Sequence, residues 1–116
     1  MIAHLVLFRP RADLPASARD TLVGALSAAL GQIGSIRRAR FGTRVTHGRP
    51  YEALMRTNYS HAAILEFDDL AGLRAYLEHP AHQQLASRFF EAFEEALMYD
   101  FELKDGPEGI SALAET

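Results

Sequence analysis

Tyr59-Ser60-His61-Ala62-Ala63-Ile64-Leu65-Glu66-Phe67 is the stretch on which the fold turns. Strand alternation sends Tyr59, His61, Ala63, Leu65 and Phe67 to one face and Ser60, Ala62, Ile64 and Glu66 to the other, so both faces are mostly apolar. The opening run Met1 to Phe8 behaves the same way, with Ile2, His4, Val6 and Phe8 opposite Ala3, Leu5 and Leu7. Its length and aliphatic content favour a strand over a helix, and Arg9-Pro10 ends it. Two strands with two apolar faces each need cover on both sides of their sheet.

Between these strands, Asp13-Leu14-Pro15 reads as a turn feeding a helix, with Pro15 at its first position and Ser17-x-x-Asp20 as a variant capping pattern. Leu22, Ala25, Leu26, Ala29, Leu30 and Ile33 recur at helical spacing, and Gly31 and Gly34 predict a left-handed end. Ile36 to Val45 alternates as a second strand with a wetter face, and Gly42 is a candidate bulge. Thr46 to Asn58 has no period and is expected to be a long loop, the segment best suited to act as a lid.

Downstream, Asp68 is a suitable N-cap for a short helix carrying Leu70, Leu73, Tyr76 and Leu77, and Pro80 starts a second. Leu85, Phe89, Phe93 and Leu97 recur at i, i+4, which predicts that this helix runs through Leu97. Met98 to Leu103 is then the fourth strand, and residues 104–116, rich in Gly, Pro, Glu and Ala, form a loosely held C-terminal tail. The order β-α-β-β-α-β over residues 1–103 is that of an α+β, ferredoxin-like domain with an antiparallel four-stranded sheet. Helices cover one face of such a sheet. The cheapest cover for the other is a second copy, sheet against sheet, in a twofold homodimer.

The chain has 116 residues, one domain's worth, and no cysteine, which excludes disulfides, thiolate metal sites and a cysteine nucleophile. Twelve Lys and Arg against fifteen Asp and Glu give a net charge of −3, so no nucleic-acid partner is expected despite the basic stripe Arg37, Arg38, Arg40 and Arg44. That stripe suits a solvated edge or salt bridges to a neighbouring subunit. No apolar run is long enough for a bilayer, and the first residues lack a basic start and a small-residue cleavage pattern. A cytoplasmic protein with no membrane partner is expected. Any chemistry falls to His, Tyr and carboxylates.

The opening Met1-Ile2-Ala3-His4-Leu5-Val6-Leu7-Phe8, the strand at 59–67, the segment Tyr76-Leu77-Glu78-His79-Pro80-Ala81-His82 and the closing Tyr99-Asp100-Phe101 together resemble the stress-responsive A/B barrel domains. The resemblance spans roughly residues 1 to 103. It implies a dimeric α/β barrel made of two facing sheets with helices outside. The family mixes stress-associated proteins of unknown biochemistry with plant enzymes that cyclise polyketides. To those cyclases the chain is similar at His4, His61, Tyr76 and His82. The comparison implies His82 as catalytic base, paired with Tyr76, for an aldol-type ring closure.

From the residues themselves, His82 sits in the first turn after Pro80, where the positive end of the helix dipole disfavours protonation. A neutral imidazole is a competent base, with Tyr76 donating a hydrogen bond to a developing enolate oxygen. The alternative is structural, with His79 and His82 tying the helix turn to strand ends. His4 and His61 interrupt apolar strand faces on strands expected to be neighbours, where they are either a satisfied core pair or a polar patch that orients a ligand. Three histidines without metal-ligand spacing predict no metal, and no cofactor is expected. Three functions follow: a homodimer binding a small apolar carbonyl compound with His/Tyr acid–base chemistry, a non-catalytic stress or assembly protein, or a cofactor-free monooxygenase of the related dimeric kind.

Overall fold

A computed structural model describes residues 1–115. Strand β1 (Ile2–Pro10) leads into helix α1 (Ala16–Gln32), β2 (Arg38–Thr43), β3 (His61–Phe67), helices α2 (Leu70–Glu78) and α3 (Pro80–Ala92), β4 (Phe93–Glu102) and α4 (Gly106–Leu113). The strands form one sheet in the order β2-β3-β1-β4, and every pairing is antiparallel. This is the ferredoxin-like α+β arrangement expected from the strand pattern.

The doubly apolar strands β1 and β3 are the two central ones, as their composition requires. Val6, Ala63, Leu65 and Phe67 turn to the helix side and join Leu22, Ala29, Ile33, Leu73, Tyr76 and Leu85 in the core. Register places Ala3, Leu5 and Leu7 of β1 beside Ala62, Ile64 and Glu66 of β3 on the other face. Leu97, Tyr99 and Phe101 of β4 share that face, with Tyr99 56% and Phe101 49% exposed. No helix covers it.

Several local expectations are corrected. Helix α3 stops at Ala92 and β4 begins at the next residue, five positions before the expected Met98. Residues four apart share a strand face as well as a helix face, so the run Leu85-Phe89-Phe93-Leu97 does not separate the two periods. Pairing of Phe93 to Glu102 with the whole of β1 decides the matter. Asp69, not Asp68, caps α2 by accepting from the Gly72 N–H at 2.9 Å; Asp68 instead accepts from Arg37 at 2.7 Å.

At α1, Pro15 is the N-cap itself, and no side chain caps that end, so the Ser17–Asp20 pattern is not used. Neither Gly31 nor Gly34 is left-handed, and Gly42 pairs regularly with Ala62 without a bulge. The 46–58 segment holds a 3-10 turn, Pro50–Leu54, whose Glu52 carboxylate accepts from the backbone N–H groups of His47 and Gly48. Of the residues expected to be a loose tail, Gly106–Leu113 form α4, and Thr116 lies outside the described residues.

Candidate functional site

Helix α1 rests chiefly on α3. Between this helix layer and the sheet lies a cavity of about 500 Å³, within the range of small-molecule sites. Its floor is drawn from all four strands: His4, Val6 and Phe8 of β1, Ala63 and Leu65 of β3, Phe41 of β2 and Met98 of β4. Leu22, Leu26 and Leu30 of α1 and Leu85, Phe89 and Phe90 of α3 roof it. The cavity therefore sits on the helix face of the sheet, away from the space between two facing sheets where a barrel interior would be. A smaller pocket of about 180 Å³ between α1 and α3, lined by Ser17, Thr21, Arg88 and Glu91, gathers no comparable chemistry.

Among the described residues only His4, Tyr76 and His82 bring polar side chains to the large cavity's wall, and Tyr76 lies against both histidines. The Tyr76 ring lies 5.7 Å from that of His4 and 4.6 Å from that of His82. Each is placed by a local device. His79 at the α2–α3 corner accepts from the Ala81 N–H at 3.0 Å, which caps α3 and sets His82 in its first turn. Tyr76 closes α2 in the turn before, facing Phe67 across the core.

His4 is held by Asp100, its neighbour across the β1–β4 ladder, with Nδ1 and Oδ1 2.6 Å apart. A carboxylate at Nδ1 keeps a proton there, so the tautomer inferred for the neutral ring leaves a lone pair on Nε2. Asp100 was not singled out among the candidate residues. Its one signal is a charge interrupting the apolar end of a strand, and nothing in the linear chain shows that it pairs with His4.

Burial lowers the pKa of His82 below its ordinary 6.5, and nearby His4 lowers it further, against an opposing hydrogen bond to the Leu77 backbone. The direction matches the expectation from the helix terminus, but desolvation is the leading cause. The Leu77 backbone favours the protonated ring and so opposes the shift without cancelling it. Burial, together with the negative charge of Asp100, pushes Tyr76 up to about 12. Its phenol stays protonated and finds no hydrogen-bond partner among the described residues. It is a donor held in an apolar wall.

His61 does not join this group. Antiparallel register pairs it with Phe8, while His4 pairs with Leu65, so the two histidines are four strand positions apart and not side by side. The His61 ring stacks on Phe8 at 5.4 Å, and Ser60 meets its Nδ1 at 2.8 Å. Among the described residues no cluster of His, Asp and Glu has the form of a metal site, and no helix is long and apolar enough to cross a membrane.

Sheet, helix layer and chamber define a ferredoxin-like α+β domain with a ligand-sized cavity. The chain belongs to the stress responsive A/B barrel domain family, whose sequence model matches residues 2–103. Similar solved structures include a hydroxynitrile lyase from Passiflora edulis, with a TM-score of 0.75, 17% identity and coverage of 90% of this chain and 94% of that one. A dimeric ferredoxin-like protein of unknown function from Thermobifida fusca gives a TM-score of 0.67 and 24% identity, covering 88% of this chain and 90% of its own. SnoaB, a cofactor-independent oxygenase from Streptomyces nogalater, gives a TM-score of 0.65 and 13% identity, covering 91% of this chain and 95% of its own. No curated protein matches the chain. At these identities the likeness is one of fold.

Proposed function

We propose that this protein is a homodimer that binds a small, largely apolar carbonyl compound in the helix-side cavity and performs acid–base chemistry on it with His82 and Tyr76. One observation carries the reading: the polar side chains of the cavity wall are gathered in a single touching group, and the rest of the wall is apolar. An apolar chamber with a few convergent polar groups is the usual form of a small-molecule site.

The chemistry follows from the protonation states. The free nitrogen of neutral His82 takes a proton from the carbon next to the carbonyl, and the electron pair of that C–H bond moves onto the carbonyl oxygen. Tyr76 donates a hydrogen bond to the enolate oxygen as charge develops there. The enolate carbon then attacks a second carbonyl of the same molecule, forming the ring bond, and the proton on His82 returns to the new alkoxide. The Leu77 carbonyl steadies the imidazolium between the two transfers. His4, oriented by Asp100, stands beside Tyr76 to hold the ligand's second oxygen.

The test is a ligand and turnover screen on the wild type, His82→Gln, Tyr76→Phe and the double variant. A general base contributes about 10²- to 10⁴-fold, and turnover is expected to fall by that order in His82→Gln with the fold intact. Unchanged turnover and affinity in the double variant for every compound found removes both residues from the site. The open apolar face of the sheet favours a second reading, a non-catalytic assembly protein. For that reading the double variant would be silent and interface variants would not.

A further inference from the structure

We infer that the two subunits of the homodimer clasp each other outside the sheet joint: α4 of each packs on the partner's 44–58 segment, apolar side chains against apolar and carboxylates against arginines. The inference rests on the homodimer reading and concerns a surface that neither the cavity nor the open sheet face includes.

Two parts of the chain stand away from its body. The radius of gyration is 16.0 Å, above the ~13 Å of a compact chain of this length, and the molecule is 19 Å thick against 47 and 39 Å across. Helix α4 is one such part. None of its residues is buried, and it makes no extensive packing with any other element. Its placement is nonetheless set. Gly106 at its start has a φ of +29°, and a Cβ at Gly109 would lie 2.7 Å from the Lys104 carbonyl oxygen, so the helix folds back tightly on its own root. The Leu103 N–H donates to the Met1 carbonyl and carries the β1–β4 ladder one residue further, so the open-face row Leu97, Tyr99 and Phe101 ends in Leu103 at the foot of α4. Beyond it, Ile110 and Leu113 share a helix face and are 68% and 73% exposed.

The 44–58 segment is the other. Val45, Leu54 and Met55 are all more than half exposed there. The two parts also differ in charge: Asp105, Glu108 and Glu115 lie along and beside α4, Arg49 and Arg56 on the segment. Among the described residues none of these five forms an ion pair. Each part thus offers the apolar surface and the opposite charge that the other lacks a partner for.

Within one chain they stand at opposite ends of the sheet. Helix α4 follows Glu102, which pairs with Ile2, while the segment joins Thr43 to His61, which pairs with Phe8. From Ile2 to Phe8 is about 20 Å at ~3.3 Å per residue. A twofold axis running broadly across the strands lays each end of one sheet over the opposite end of its partner, and the contact then forms twice. The eight residues of α4 span ~12 Å, enough to cover the ~10 Å from β4 to β3, where the segment enters the sheet.

The chain has no cysteine, so introduced ones report cleanly. Ile110→Cys and Leu54→Cys, both at exposed positions, are combined in the full chain, oxidised, and read on a denaturing, non-reducing gel beside each single variant. A covalent dimer is expected from the pair and from neither single variant. In sedimentation equilibrium, Arg49→Glu with Arg56→Glu is expected to weaken dimerisation about tenfold, and adding Glu108→Lys with Glu115→Lys to restore it. A link closed within one chain, a covalent dimer from either single variant, no link in a protein that sediments as a dimer, arginine variants that dimerise as the wild type does, or a weakening that the reversed charges do not restore overturns the clasp and leaves the sheet joint standing. A wild-type monomer overturns the clasp and the homodimer together.

Discussion

In the proposed site, His82 is the residue whose environment sets the response to pH. Its folded pKa lies below the ordinary 6.5, so the imidazole remains neutral into mildly acid solution. The acid limb of kcat/KM is therefore expected below pH 6.5 and is expected to vanish in His82→Gln. The same shift bears on stability. As pH falls through 6.5 the unfolded chain binds a proton that the folded protein resists. The contribution of His82 is thus complete above that value and is lost as pH drops through the lowered folded value. Titrating unfolding midpoints of wild type and His82→Gln between neutral and acid pH checks this: the variant's curve is the flatter one. Tyr76, pushed up to about 12, sets no limb in the working range. The nearness of Tyr76 to His82 was legible because the corner that joins their helices is written in adjacent residues. The pairing of Asp100 with His4 and the separation of His61 from His4 were not, for one reason: the partner of a strand residue is fixed by register, which depends on turns far away in the chain.

At the scale of elements, the hydrophobic alternation of β1 and β3 located the centre of the sheet because a buried strand shows it on both faces. The α3–β4 boundary was illegible because a four-residue spacing satisfies helix and strand alike. The start of α2 offered two adjacent aspartates, and only geometry tells which one caps. Asp69→Ala, which removes the bond to the Gly72 N–H, is expected to cost about 0.5–2 kcal/mol of stability in urea unfolding. Asp68→Ala removes only a pair with Arg37 in which both side chains are more than half exposed, and is expected to cost no more than about 1 kcal/mol. A larger loss at Asp68 than at Asp69 would reverse the assignment. His79, at the next corner, serves two helices: its backbone N–H donates to the Tyr76 carbonyl at the end of α2, and its side chain accepts from the Ala81 N–H to cap α3.

For the whole molecule, the open face of the sheet is apolar at its middle, where Leu5, Leu7, Ala62 and Ile64 lie beside Leu97, Tyr99 and Phe101. Its charged residues are largely paired within the chain, Arg40 with Glu66 and Arg9 with Glu94 and Glu95, while Asp100 and Glu102 turn to the helix side with His4 and Ile2. A joint between two such faces therefore rests on apolar contact. Sedimentation velocity at micromolar concentration is expected to show a dimer, and a monomer for Phe101→Glu, whose charge would be buried in the joint. A wild-type monomer under the same conditions defeats the dimer. The need for such a joint was legible in the sequence; which residues of β4 share the open face emerges only when register is known.

The way α1 is supported has a consequence for the proposed ligand site. Leu22, Ala29 and Ile33 tie the helix into the core with sheet residues, while Leu26 and Leu30 border the hollow. On the proposed reading, a guest in that hollow gives these two side chains further packing partners, so that binding would steady the middle turns of α1 as added core does.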